Sequence, residues 1–327
     1  MITNFTTVRA HPNIAFIKYW GNKDSMLRIP VNSSLSMNLE ELYTETSLVW
    51  DSTLESDVLE LNGQLQTGET LARVQRHLEQ IRLHIGLHEY AYVKSFNNFP
   101  MGAGIASSAS SFAALTLAAV KAADAQVSEK QITSLARLGS GSASRSIPTG
   151  FVEWHEGYDH ETSYAESFAP PNYWDLVDVV AVVSGVHKTI GSTEGHQTAS
   201  TSDLQSARVS GAAERLTICK QAIIERNFET FAEVVELDSN LMHAVMMTSR
   251  PPLFYWMPSS IEIMRSVQAW RNEGLQVCYT LDAGPNVHCI CVRKDVDAVS
   301  TRLKSISGVV DTRIAGVGGA AHQVKNV

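Results

Sequence analysis

Pro100-Met101-Gly102-Ala103-Gly104-Ile105-Ala106-Ser107-Ser108-Ala109-Ser110-Ser111 leads directly into an Ala-rich run, Phe112 to Ala125, that contains neither Pro nor Gly. Such a run forms helix. The small-residue turn ahead of it gathers backbone N–H groups that have no helical partner, and the helix dipole adds partial positive charge there. Taken alone, the turn has two readings. One is a phosphate cradle; the other is a tight strand-to-helix turn whose small residues permit close packing. It is no dinucleotide fingerprint, because the third Gly is missing and no acidic residue ends a second strand about 20 residues on. No Gly-Lys-Ser/Thr sequence completes a Walker A loop either.

Outward from this turn, the pattern is mixed. Upstream, Thr44 to Val49 and Val58 to Leu61 read as strands, the second closing on an Asn62-Gly63 turn. Leu71, Val74, Leu78, Ile81 and Ile85 step by three and four, predicting an amphipathic helix that stops at Gly86. Ala91 to Phe96 reads as the strand entering the turn. Downstream, Ile132 to Leu138 predicts a short helix, and Val179 to Val183 a strand buried on both faces. Gly191 to Gln205, rich in Ser, Thr and Gly, reads as a mobile loop. Helices are expected over Ala207 to Arg226, Phe228 to Met247, Ile261 to Asn272 and Val296 to Ile306. Strands Val277 to Leu281 and Val287 to Val292 flank Asp282-Ala283-Gly284-Pro285-Asn286, and Gly316-Val317-Gly318-Gly319 forms a Gly-rich tail. The whole predicts an α+β protein with a boundary near residue 185, dividing 1–185 from 186–327.

Composition narrows the function classes. The 327 residues suffice for one large or two ordinary domains with a real core. The net charge of −8 and the absence of any basic run longer than two residues argue against nucleic acid as a partner. Local basic residues can still bind an anionic substrate in a cleft. No apolar run approaches the ~20 residues that span a bilayer, and Met1 to Phe5 does not resemble a signal peptide. Cys219, Cys278, Cys289 and Cys291 form no CxxC pair and no zinc spacing. Free thiols without a leader point to the cytoplasm.

Three further stretches carry candidate chemistry. In Gly139-Ser140-Gly141-Ser142-Ala143-Ser144-Arg145-Ser146, hydroxyls and one guanidinium fork suit a carboxylate or phosphate; a flexible loop with a solvated Arg is the alternative. Ile14 to Ile17 is a strand delivering Lys18 and Tyr19 at its end, where either a catalytic or a surface lysine can sit. Asp282 ends an apolar strand, as a turn residue or as a carboxylate aimed into a cleft.

The four stretches together, in this order, resemble the mevalonate diphosphate decarboxylases, a branch of the GHMP small-molecule kinase superfamily. The resemblance lies in Ala10 to Asn22, Asn97 to Ala109, Gly139 to Ser146 and Thr280 to Asn286. Lesser matches are Pro30 to Ser36, Gly150 to Trp154, Gly191 to Thr193 and Asp238-Ser239-Asn240. The resemblance implies the GHMP kinase fold: a ribosomal protein S5 domain 2-like N-terminal half, a ferredoxin-like C-terminal half and a deep cleft. It implies ATP and Mg2+ as cofactors and a homodimer. It implies a reaction in which ATP phosphorylates the 3-hydroxyl of a 5-phosphorylated mevalonate, after which phosphate and CO2 leave. Asp282, Lys18 and Arg145 match the catalytic positions. Tyr19, Asn22, Ser140, Ser142, Ser192 and Thr193 match the substrate pocket. Asn97, Gly102, Gly104, Ala106, Ser107 and Ser108 match the nucleotide site, Ser108 lying nearest to where Mg2+ is expected.

Departures bear on the substrate. Most relatives carry Lys where this chain has Asn22, and Met where it has His196; Met101-Gly102 replaces Thr-Ala, and Ser144 replaces Cys. A neutral Asn22 removes one charge-assisted contact to the 5-phosphate tail, worth about 1.5–3 kcal/mol. The 5-diphosphate is the expected substrate and the 5-monophosphate the alternative. A kinase stopping at the 3-phosphate is more remote, because Lys18, Arg145 and Asp282 are all present.

Overall fold

The computed structural model describes residues 4–99, 107–183 and 191–324. The chain begins with β1 (Thr6–Ala10), β2 (Asn13–Ile17), β3 (Asn22–Asp24), β4 (Ile29–Pro30), β5 (Ser34–Asn38), β6 (Thr44–Asp51), β7 (Val58–Leu61) and β8 (Gln64–Leu65). Then come α1 (Gly68–Ile85), β9 (Tyr90–Asn97), α2 (Ser107–Ala122), α3 (Glu129–Gly139), a 3-10 turn (Gly141–Ser146), β10 (Phe151–Trp154), β11 (Ala165–Ala169) and β12 (Leu176–Val182). The remainder is α4 (Ser192–Thr198), α5 (Gln205–Ser210), α6 (Ala212–Glu225), α7 (Phe228–Thr248), α8 (Pro258–Asn272), β13 (Val277–Thr280), β14 (Val287–Val292), α9 (Val296–Lys304), β15 (Asp311–Gly316) and β16 (His322–Val324).

Three sheets organise these elements: β16-β1-β6-β9-β7-β8, β11-β10-β5-β2 and β13-β14-β12-β15, with β3-β4 as a separate small pair. Helix α2 lies on the first sheet. Its Ala109, Ala113, Ala114, Ala118 and Ala119 are fully buried, so small side chains let the helix sink against β1 and β6. Helix α1 closes that core with Leu78 and Ile81, as its spacing predicts. Helix α3 starts at a reciprocal cap between Ser128 and Gln131, and it ends in the serine-rich 3-10 turn.

The third sheet is covered on both faces. Val177, Val179 and Ala181 pack with α8 and α9, while Leu176 and Val180 face the core shared with α6 and α7. Helix α7 contacts both β2 and β13, so it spans the seam between two sheets. Phe16 of β2 meets Phe231 of α7 edge to face, with ring centroids 4.9 Å apart.

The expected mobile loop from Gly191 to Gln205 is instead largely helical, as α4 and a 3-10 turn at Ala199–Thr201. Tertiary contacts override its polar composition: Ala199 is fully buried, and Gln205 Nε2 donates to the Trp20 carbonyl at 2.9 Å. The single helix expected over Ala207 to Arg226 is two, α5 and α6, divided at Gly211. The Gly-rich tail is flanked by two strands that the sequence pattern did not reveal, β15 and β16. Strand pairing does not strictly follow a division at residue 185: β12 belongs to the sheet of β13 and β14, and β16 returns to pair with β1. Pro100 to Ala106, including Gly102, Gly104 and Ala106, lie outside the described residues.

Gly139 is where α3 touches α2. A Cβ there would lie 2.1 Å from Cδ1 of Phe112. Gly139→Ala is therefore expected to destabilise the protein by about 1–3 kcal/mol through overpacking. Urea unfolding checks this; an unchanged midpoint would contradict the packing described.

Candidate active site

Strand β2 ends at Ile17, and Lys18 follows with 1% exposure. Its Nζ donates to Asp282 Oδ1 at 2.7 Å, joining residues 264 positions apart in the chain. The surface reading of Lys18 is thus excluded. Asp282 keeps 28% of its side chain exposed, so the pair is buried at the lysine and open at the carboxylate. Burial drives the Lys18 ammonium below its usual range, against the opposing pull of Asp282 and Asp238. Burial pushes the Asp282 carboxyl up, but Lys18, His288 and Arg145 together outweigh it and hold the group below the ordinary carboxylate value. Asp282 is therefore an anion at neutral pH. His288 is itself buried, with Nδ1 2.5 Å from Asp178 Oδ2.

Arg145 is carried by the 3-10 turn and is 3% exposed. Its Nε donates to Asn13 Oδ1 at 3.1 Å and its Nη1 to Ser34 Oγ at 2.8 Å. Asn13 also donates to Ser142 O and Ser146 Oγ, tying the turn to β2. Burial lowers Arg145 to about 10, with Asp282 opposing, so the guanidinium remains charged near neutrality. Two cations, Lys18 and Arg145, thus flank one carboxylate. Such a site carries surplus positive charge and suits an anionic ligand.

The serines join this site to a second one. Ser140 Oγ lies 3.4 Å from Ser142 Oγ and 3.2 Å from Ser108 Oγ at the start of α2. Tyr19 closes the wall: its hydroxyl donates to Asn22 Oδ1 at 2.6 Å, and its ring stacks on His196 at 4.1 Å. Burial raises the phenol to about 12, so Tyr19 is a neutral donor. A Cβ on Gly141 would come within 2.5 Å of the Tyr19 ring, so that position requires glycine. Lys23 does not replace the missing charge at Asn22, because it pairs with Glu156 at 3.3 Å. Ser192 and Thr193 begin α4, which delivers His196 to Tyr19 and Trp20.

Beyond Ser108 lies a cleft of about 350 Å³ with Ser107, Ser108, Ser111, Phe112, Thr46 and Arg73 in its wall. Apolar side chains such as Leu59, Val93 and Leu115 share its lining with these hydroxyls and Arg73, a mixture that suits a flat ring with a charged tail. Asn97 is buried, and its Oδ1 accepts from Thr44 Oγ1 at 2.5 Å.

Several residues here escaped the sequence reading. Arg28 Nε donates to Leu138 O at 3.0 Å, and Arg73 Nη2 to Gly139 O at 3.1 Å, on the two carbonyls just before Ser140. Burial lowers Arg73 to about 10, with Arg28 adding repulsion. Both add positive charge beside the cleft. His196, which the sequence marks only as a departure from the relatives, accepts the Gly21 amide N–H on Nδ1 at 2.9 Å. No local motif announces these residues, since each acts through partners distant in sequence.

The ion pair yields one direct expectation. Asp282→Asn removes the anion nearest Lys18, so the Lys18 ammonium should titrate at still lower pH than in the native protein. Lysine-selective 15N NMR checks this, and an unchanged titration would contradict the pairing.

Comparison with known proteins agrees with this geometry. Residues 10–165 match the family model of the diphosphomevalonate decarboxylase-like N-terminal domain. Residues 178–322 match that of the mevalonate 5-diphosphate decarboxylase C-terminal domain. The diphosphomevalonate decarboxylase of Candida albicans is 39% identical over 298 residues, covering 86% of this chain and 82% of its own length. That of Bos taurus is 38% identical, covering 86% and 75% respectively. The crystal structure of mevalonate diphosphate decarboxylase from Staphylococcus aureus superimposes with a TM-score of 0.94 at 36% identity, over 98% of both chains. MDDEF in complex with MVAPP, AMPPCP and magnesium superimposes with a TM-score of 0.92 at 34% identity, over 98% of this chain and 99% of that one. The architecture is the GHMP kinase fold. With both halves matched in order, this chain belongs to the diphosphomevalonate decarboxylase family.

Proposed function

We propose that this protein catalyses the ATP-dependent decarboxylation of (R)-5-diphosphomevalonate to isopentenyl diphosphate, a step of isoprenoid synthesis by the mevalonate route. The observation that carries the reading is the Lys18–Asp282 pair, 2.7 Å apart, with the buried Arg145 adding its charge to that of Lys18. In the first step the 3-hydroxyl oxygen attacks the γ-phosphorus of ATP, the bond to ADP breaks, and the hydroxyl proton leaves. Asp282 is an anion able to orient that hydroxyl and accept its proton. A tertiary alcohol is a weak acid, so orientation matters more than basicity. Lys18 places positive charge where the phosphoryl group transfers. In the second step the C1–C2 bond breaks to release CO2, its electron pair forms the double bond, and the C3–O bond breaks to release phosphate. Arg145, fixed by Asn13 and Ser34, holds the C1 carboxylate so that this bond aligns with the departing phosphate.

The nucleotide fits the cleft beside Ser107 and Ser108, with Arg73 near its phosphates. Among the described residues no cluster of three His, Cys, Asp or Glu could hold a metal. That suits Mg2+, which binds through phosphate and water oxygens with one or two protein ligands. Ser108 would supply a protein oxygen near the ion, which would neutralise phosphate charge. Tyr19, Ser140, Ser142, Ser192 and Thr193 form the substrate pocket of this reading.

Asn22 supports a second reading, the 5-monophosphate converted to isopentenyl phosphate. Its amide carries no charge, its Oδ1 is occupied by Tyr19, and Lys23 is engaged by Glu156. A cytoplasmic location is inferred from four buried free thiols; no helix among the described residues is long and apolar enough to cross a membrane. We further propose a homodimer, for which light scattering is the check. The N-terminal division at residue 185 is retained as the proposed ATP-binding half.

Turnover should release CO2, ADP and phosphate in equal amounts; ADP alone would favour a 3-kinase, and no CO2 from either substrate would sink the decarboxylase reading. Asp282→Ala and Arg145→Ala should each abolish turnover while the circular dichroism spectrum stays native, and wild-type rates in either would refute its role. Asn22→Lys should shift kcat/KM toward the diphosphate by about tenfold or more, the worth of one charge-assisted contact. An unchanged ratio would show that Asn22 does not set the tail preference.

A further inference from the structure

Helix α7 presents two adjacent side chains to the main chain that carries the Lys18–Asp282 pair. Asp238 is fully buried, and its Oδ2 accepts the Lys18 backbone N–H at 2.6 Å. Ser239, also fully buried, accepts the Leu281 N–H on its Oγ at 3.0 Å, one residue before Asp282. His243, one turn on, is buried and stacks on Trp256 with ring centroids 5.0 Å apart. Adjacent side chains on one rigid helix therefore grip the two segments whose ends must meet.

The grip on the lysine side is itself braced. Asp238 Oδ1 accepts from Arg215 Nε at 2.6 Å, and Arg215 Nη2 donates to the Arg208 carbonyl. Arg208 Nη2 donates to the Trp20 carbonyl at 2.6 Å and to Asn32 Oδ1, while Asn32 Nδ2 returns to the Lys18 carbonyl. The amide of Lys18, its carbonyl and the carbonyl of Trp20 are all fixed by buried side chains. This is more restraint than the end of an ordinary strand receives, and the Thr280 hydroxyl adds only one long bond of 3.4 Å to Ala15 O.

We propose that α7 is the alignment element of the active site: Asp238 and Ser239 act as positioning residues whose adjacency sets the spacing between Lys18 and Asp282. The proposal rests on the decarboxylase reading for its kinetic consequences and on the hydrogen bonds alone for its geometric ones. Asp238 has a second effect. Its negative charge favours the Lys18 ammonium, as does Asp282, while Arg145 opposes it. His243, lowered to about 3 by burial, is neutral and does not titrate in the working range.

Two variants separate alignment from bulk stability. Ser239→Ala removes an uncharged contact. It should lower kcat by about 10- to 100-fold while KM for MgATP changes by less than about twofold, with the alkaline limb of the pH profile in place. Asp238→Asn removes a negative charge near Lys18, so the ammonium loses its proton at lower pH. The alkaline limb should then move down by about one pH unit. A purely structural role predicts lower melting temperatures with an unmoved limb and wild-type kcat per folded molecule, and that result overturns the proposal. If Asp238→Asn does not fold, wild-type kcat in Ser239→Ala overturns it. If the native protein proves inactive on both phosphorylated mevalonates, the function reading fails. The alignment claim is then judged by 15N NMR of Lys18 in Asp238→Asn, where an unshifted titration overturns it.

Discussion

A buried ammonium is the constraint on which this active site is built. Lys18, at 1% exposure, loses nearly all its hydration, and only a close anion offsets that cost. The anion is Asp282, on a turn that follows β13 in the far half of the chain. The two halves must therefore close with the lysine and the carboxylate within hydrogen-bond distance. Whatever displaces one against the other leaves a charge stranded in the interior. The same demand explains why the carboxylate stays ionised: two cations and His288 outweigh the burial that would protonate it.

Most of the helical layer of the C-terminal half serves that closure. Helix α7 packs on both β2 and β13, and α5 and α6 supply Arg208 and Arg215 to the carbonyls and carboxylate near Lys18. On the opposite wall, Asn13 of β2 holds both Arg145 and the serine turn, so the guanidinium and the ammonium are fixed from one strand. Ser140 then touches Ser108, carrying the site to the cleft beside α2. Lys18 and Asp282 lie just past the ends of β2 and β13 and Arg145 in a short 3-10 turn, and buried side chains of neighbouring elements hold each in place, as precise positioning requires.

The sequence was legible where function is written in contiguous residues. The four long motifs name Lys18, Arg145 and Asp282, of which the fold joins Lys18 to Asp282, and α1, β7 and β14 emerge from simple periodicity. It was not legible where function lies in pairing at a distance. Lys18 alone resembles a surface lysine because its partner lies 264 residues away. Gly191 to Gln205 looks like a loop because Ser and Gly disfavour helix in isolation, while burial of Ala199 and the bond from Gln205 to Trp20 stabilise it in place. Arg28 and Arg73 show no motif, yet they bring charge to the carbonyls ahead of Ser140. Asn97, which the resemblance assigns to the nucleotide, is joined to Thr44 through a contact no motif announces.

The central claim is that the ionised Asp282 directs the substrate's own 3-hydroxyl onto the γ-phosphorus before carbon dioxide leaves. Substrate labelled with 18O at the 3-hydroxyl tests it most directly, with mass spectrometry of the released phosphate. The account predicts one 18O in every inorganic phosphate and none in ADP. Unlabelled phosphate, formed while CO2 is still released, would mean that ATP is hydrolysed by water and would contradict it.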